Sequence, residues 1–153
     1  MIKIIFFLYF FHLLTACDVI HGVGRSSEIN HIPASECIVN TLSKVQEISD
    51  IRYEEDRFDR NTPGYLAGNA RTSHLYHYTL YDFPINLVFR EFDRNDMPST
   101  YSTSFGMMHV PPPQDKVNQL RGMLFKIEEQ IEKECKIDLT TNLKEECSKL
   151  ISC

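Results

Sequence analysis

The sequence is short of the features that announce a chemistry. Its 153 residues contain no G-x-S-x-G elbow, no Walker loop, no dinucleotide fingerprint and no H-E-x-x-H pair, so the common local signatures of hydrolase, nucleotide and zinc-protease sites are missing. There is no dense Lys/Arg cluster, and the formal net charge is −5. Nucleic-acid affinity comes largely from counterions displaced by basic side chains, so this balance speaks against nucleic acid as a partner. No C-x-x-C occurs among the five cysteines, which leaves a four-cysteine zinc site, the rival to disulfides, without its usual spacing. Neither a cofactor nor a metal is expected. Internal repeats and low-complexity tracts are also absent, and the apolar run Ile4 to Leu14 falls short of the ~20 residues that cross a bilayer.

What is present begins with that run. Lys3 supplies a positive start, Ile4 to Leu14 is interrupted only by His12, and small residues follow before the chain turns polar at Asp18, His21 and Arg25. This is the layout of an export signal. Leu14-Thr15-Ala16-Cys17 resembles the lipobox of bacterial lipoproteins, where a branched apolar residue and two small ones precede an obligatory cysteine. The resemblance covers the leader alone. It implies cleavage between Ala16 and Cys17, diacylglycerol on the Cys17 sulfur and, as a rule, acylation of the new amino terminus. Two or three acyl chains anchor stably where one would exchange. An ordinary secretory leader with an incidental cysteine is the alternative. Asp18, next to the lipidated position, resembles the enteric signal for inner-membrane retention. The expected location is a lipid-anchored site on a cell membrane, facing the periplasm or the exterior.

After a signal peptide over 1–16, residues 17–34 read as a flexible tether, because Gly22, Gly24, Ser26, Ser27, Asn30 and Pro33 interrupt any helical or strand period. A globular domain is expected over 35–153. Ser35 is placed to cap a first helix running to about Ser49, with Ile38, Leu42, Val45 and Ile48 on one face. Four strands follow, Ile51 to Arg57, Ser73 to Tyr81, Ile85 to Phe92 and Thr100 to His109, each aromatic or β-branched and bounded by turn residues. Val117, Leu120, Leu124, Ile127 and Ile131 predict a second helix, and Leu143, Cys147, Leu150 and Ile151 a third. The fold expected is α+β, a two-layer sandwich of one helix, a four-stranded antiparallel sheet and two helices.

With Cys17 lipidated, Cys37, Cys135, Cys147 and Cys153 form an even set in an oxidising compartment, which favours disulfides. Four reversing strands between the first two helices bring the start of one beside the end of the other, which selects Cys37 with Cys135 and leaves Cys147 with Cys153. The second pair requires the last helix to end before Cys153.

Candidate chemistry is thin. His74 and His77 share metal-chelating spacing only in a helix; in a strand they face opposite sides. Glu54, Glu55, Asp56 and Asp59, interleaved with Arg52, Arg57 and Arg60, read as a solvated, self-neutralising edge rather than an acid/base pair. Tyr76, Tyr78, Tyr81, Phe83, Tyr101 and Phe105 make the sheet aromatic; taken singly each reads first as core, but with helices on one face some are expected on the other or at its rim, as a binding surface. The function expected is a non-catalytic envelope lipoprotein that binds another envelope protein as an accessory or assembly factor. Two alternatives stand beside it. A small periplasmic enzyme or ligand carrier would need a concave site near His77, His109 or Tyr101; an inhibitor or immunity-type lipoprotein would suit the acidic balance.

Overall fold

A computed structural model describes residues 20–57, 70–92, 97–108, 110–148 and 151. In chain order the elements are β1 (Ile20–Ile29), α1 (Ser35–Ser43), β2 (Ile48–Arg57), β3 (Ala70–Leu80), β4 (Phe83–Phe92), β5 (Ser99–Met108), α2 (Gln114–Cys135) and β6 (Lys144–Cys147). The strands form one antiparallel sheet in the order β2-β3-β4-β5-β1-β6. The expected four-stranded sheet with one helix before it and two after is therefore wrong: the sheet has six strands and the described elements include two helices.

Each error has a physical origin. Residues 20–29, expected to be a loose tether, are a strand held between β5 and β6. Alternation is present, with His21, Val23, Arg25, Ser27 and Ile29 buried and Gly22, Gly24, Ser26 and Glu28 on the other side. It is disguised because three of the five buried residues are polar and two of the outward ones are glycines. Gly22 is there for close approach: a Cβ at this position would stand 2.3 Å from the Phe105 carbonyl oxygen across the β1–β5 ladder. The expected third helix is β6, whose Glu145 and Cys147 pair with Arg25 and Val23. Its apolar residues sit at spacings that suit a helix, but four residues on a charged edge strand satisfy the neighbouring ladder instead.

α1 stops at Ser43, well short of Ser49, because Ile48 already begins β2. Ser35 is its first helical residue rather than its cap, which is Ala34. β3 and β4 join through Tyr81 and Asp82, both at positive φ (48° and 67°), the backbone twist of a two-residue hairpin turn. β2 carries a bulge between Ser49 and Arg52, with Asp50 at φ 54°.

Both helices lie on the same face of the sheet. Val117, Leu120, Leu124, Ile127 and Ile131 form the expected stripe on α2, each at most 1% exposed, and pack on Tyr76, Tyr78, Leu87, Phe89, Tyr101 and Phe105. The cross-strand rings run as a ladder, Tyr53 to Tyr76 at 5.0 Å, Tyr76 to Phe89 at 6.0 Å and Phe89 to Tyr101 at 5.4 Å between centroids. α1 is joined to the end of α2 by a disulfide between Cys37 and Cys135, reinforced by Lys44 Nζ, which donates to Glu134 at 2.7 Å. A crosslink spanning 98 residues removes much of the freedom of the unfolded chain.

Candidate functional site

Two sites can be built from the side chains outward, one under α2 and one on the opposite face of the sheet. The first is a buried network of charge. Arg25 points inward from β1, where alternation puts it beside Val23 and Ile29, and Glu128 points inward from α2, one turn after Leu124. Arg25 Nη1 and Glu128 Oε2 stand 2.6 Å apart, with the Glu128 side chain 1% exposed and Arg25 8%. The contact is an ion pair in which the N–H bonds do not aim at the carboxylate oxygen. The Tyr101 hydroxyl donates to Glu128 Oε1 at 2.7 Å. Arg25 Nε lies 3.4 Å from Glu145 on β6, which is also paired with Arg121 of α2. The Arg25 guanidinium sits 5.7 Å from the centroid of Phe125. Burial pushes Glu128 up to about 7, against the pull of Arg25 and Tyr101, and the same burial together with Glu128 holds the Tyr101 hydroxyl well above its ordinary value.

This network ties β1, β5, β6 and α2 to one another. A buried pair of this kind fixes how elements register more than it adds stability, because desolvation offsets most of the attraction. It was not anticipated from the sequence. The signal that could have found it is Glu128 interrupting the apolar stripe of α2, four residues after Leu124 and three before Ile131: a charge on a buried face requires an opposite charge across the interface.

The second site is the face turned away from the helices. None of the expected exposed aromatic surface is there. Tyr76, Tyr78, Tyr101 and Phe105 are buried under α2 and Phe83 is half-buried against the same core, because their strand positions alternate onto the covered side; Tyr81, in the β3–β4 turn, is half-buried against that core as well. The open face presents Gly22, Gly24 and Ser26 from β1 and Ser102, Ser104 and Gly106 from β5, paired Gly22 with Gly106, Gly24 with Ser104 and Ser26 with Ser102. Taller side chains flank this low strip: Asn86, Val88 and Arg90 on β4, Lys144 and Glu146 on β6. Arg90 donates to Ser102 Oγ at 3.1 Å. A shallow depression of about 220 Å³ lies in the strip, lined by Gly22, Val23, Gly24, Ser104, Phe105 and Ser148.

The remaining sequence candidates fall as follows. Ala16, Cys17, Asp59, Arg60, His109 and Cys153 lie outside the described residues. Cys147 is disulfide-bonded; Cys153, the partner expected for it, is among the residues not described. His74 and His77 face opposite sides of β3: His74 Nδ1 is 2.9 Å from the Tyr53 hydroxyl under the helices, and His77 Nδ1 is 2.6 Å from Asn86 Oδ1 on the open face. Glu54, Glu55 and Asp56 are on β2, an edge strand. Glu55 pairs with Arg57 and accepts from Tyr53, which together hold its carboxyl below the usual range. Among the described residues no group of three His, Cys, Asp or Glu side chains is arranged to hold a metal ion, and no helix is long and apolar enough to cross a membrane.

No protein-family model, no curated protein and no solved structure matches this chain. The functional reading rests on the geometry and the leader.

Proposed function

We propose that this chain is a cell-envelope lipoprotein, anchored by acyl chains on Cys17 after cleavage behind Ala16, whose domain binds another envelope protein through the open face of its sheet and performs no catalysis. One observation carries the binding half of the reading. Bulky rings are gathered on the covered face, while the exposed strip of Gly22, Gly24, Ser102 and Ser104 is low enough for a partner's side chains to approach the β1 and β5 backbones. A sheet face of this shape suits a broad protein contact; a small-molecule site is more deeply concave. Tyr101, one of the groups an enzymatic reading would enlist, is 1% exposed and committed to Glu128.

The anchoring half is supported by the lipobox Leu14-Thr15-Ala16-Cys17 and by the apolar run from Ile4 to Leu14 that precedes it. A bilayer-held domain meets partners at a high local concentration, so a modest face can serve. Fractionation of the native host tests both halves. Cys17→Ala is expected to leave the membrane fraction or remain unprocessed, and Ser104→Arg is expected to stay in the membrane but lose the protein that co-purifies with wild type. A partner that loses activity when bound marks the inhibitor or immunity form of the same reading. Normal membrane retention of Cys17→Ala contradicts the anchor, and unchanged co-purification with Ser104→Arg contradicts the face.

A further inference from the structure

We infer that the end of the sheet where β1 begins rests against the lipid surface, with Met107 and Val110 seated in the membrane interface. The inference rests on the lipid-anchor reading of Cys17 and goes beyond it by orienting the domain. Cys17 precedes Ile20, the first residue of β1, by three positions, and three residues of chain span at most about 11 Å. The anchor therefore cannot hold the domain away from the bilayer as a long tether would; whichever end of the sheet contains Ile20 is the end brought to the lipid.

That end is identified by the register. Ile20 pairs with Met108 and His21 with Met107, so the close of β5 lies beside the start of β1, and Val110 follows two residues later. Ile85 pairs with Phe105, which brings the β3–β4 turn at Tyr81 and Asp82 to the same end. Among the described residues the exposed large hydrophobic side chains are Met107 at 39%, Val110 at 62% and Phe125 at 42%. Phe125 is occupied by the Arg25 guanidinium; the other two stand on this rim, with half-buried Tyr81 and Phe83 behind them. Exposed apolar side chains beside an acyl anchor gain by entering the headgroup and acyl boundary, and a tyrosine at that depth has one apolar side and one wet end.

The chain contains no tryptophan, so an introduced one reports alone. The lipidated protein carrying Val110→Trp, or Glu28→Trp as a control near the far end of β1, is reconstituted into vesicles of phosphatidylethanolamine and phosphatidylglycerol with brominated acyl chains. Glu28 is exposed and eight residues from Ile20, about 27 Å along the strand. The expected result is a blue-shifted Val110→Trp emission that the brominated chains quench at interfacial depth, with Glu28→Trp unquenched. Equal quenching of the two, or none in either, overturns the orientation while leaving the anchor intact, provided mass spectrometry finds acyl chains on Cys17. A processed chain without acyl mass overturns the anchor and the orientation together.

Discussion

The two faces of the sheet use the same backbone ladder and opposite side-chain economies. Under the helices, β1 and β5 contribute Arg25 and Tyr101 to a water-poor network that reaches Glu128 on α2. On the other side the neighbouring residues of the same strands are Gly24, Ser26, Ser102 and Ser104. One face is committed to holding the fold together, and the other is left low and polar. The comparison teaches that the unusual aromatic content of the strands is an investment in the core, so surface function has to be sought among small residues that composition does not highlight.

The largest expected effects come from breaking the covered face. Glu128→Ala leaves the buried Arg25 with only its longer contact to Glu145 and removes the acceptor of Tyr101, a loss expected to fall at the lower end of about 3–5 kcal/mol in urea unfolding. The double change Arg25→Met with Glu128→Leu removes both charges and is expected to recover most of that. If the double variant were as unstable as the single one, packing rather than charge would explain the cost.

The same carboxyl gives a pH dependence of definite sign. Its folded pKa, about 7, lies above the ordinary 4.5, so the folded state holds a proton that the unfolded state has released between those values. Stability from this group is full below about pH 4.5 and falls as pH rises through about 7. Unfolding curves at pH 5 and pH 7.5 should show this loss in wild type and not in the Arg25→Met, Glu128→Leu background. A loss of equal size in both would assign the dependence to other groups.

A smaller contrast separates two glycines of β1 that share the open face. Gly22→Ala forces a methyl group against the Phe105 carbonyl and is expected to cost about 1–3 kcal/mol, whereas Gly24→Ala meets nothing within 4 Å and should leave stability nearly unchanged. Thermal melts of the two variants compare them directly; equal losses would mean that the β1–β5 approach is looser than described. The smallest effect on stability is expected from Ser104→Arg, within about 0.5 kcal/mol, although it should disturb partner binding most.

Much of this was legible in the residues, and the gaps have identifiable causes. The apolar stripe of α2 followed from its helical period, and the four strands between the helices from aromatic and β-branched residues bounded by turns; β3, β4 and β5 bury a regular face, whereas β2 is a bulged edge strand with no fully buried residue. The Cys37–Cys135 disulfide was chosen by the same chain reversals that β2 to β5 supply. β1 was hidden because three of its five buried positions are His21, Arg25 and Ser27, and β6 because it is short, charged and half-exposed; polar residues enter a core only when a distant partner neutralises or hydrogen-bonds them. Such partners belong to tertiary structure and leave no local period. The open face differs from the expectation for the related reason that alternation assigns Tyr76, Tyr78, Phe83, Phe89, Tyr101 and Phe105 to one side, which counting aromatics does not reveal.

The central claim, that the uncovered face is where the partner sits, is tested most directly by site-specific photocrosslinking in the native envelope. A crosslinking residue at Ser104, on the open face, is compared with one at Glu129, exposed on α2. The account predicts one discrete adduct from Ser104, lost when Gly24→Arg blocks the strip, and none from Glu129. An adduct formed from Glu129 but not from Ser104 would place the partner on the helices and contradict it.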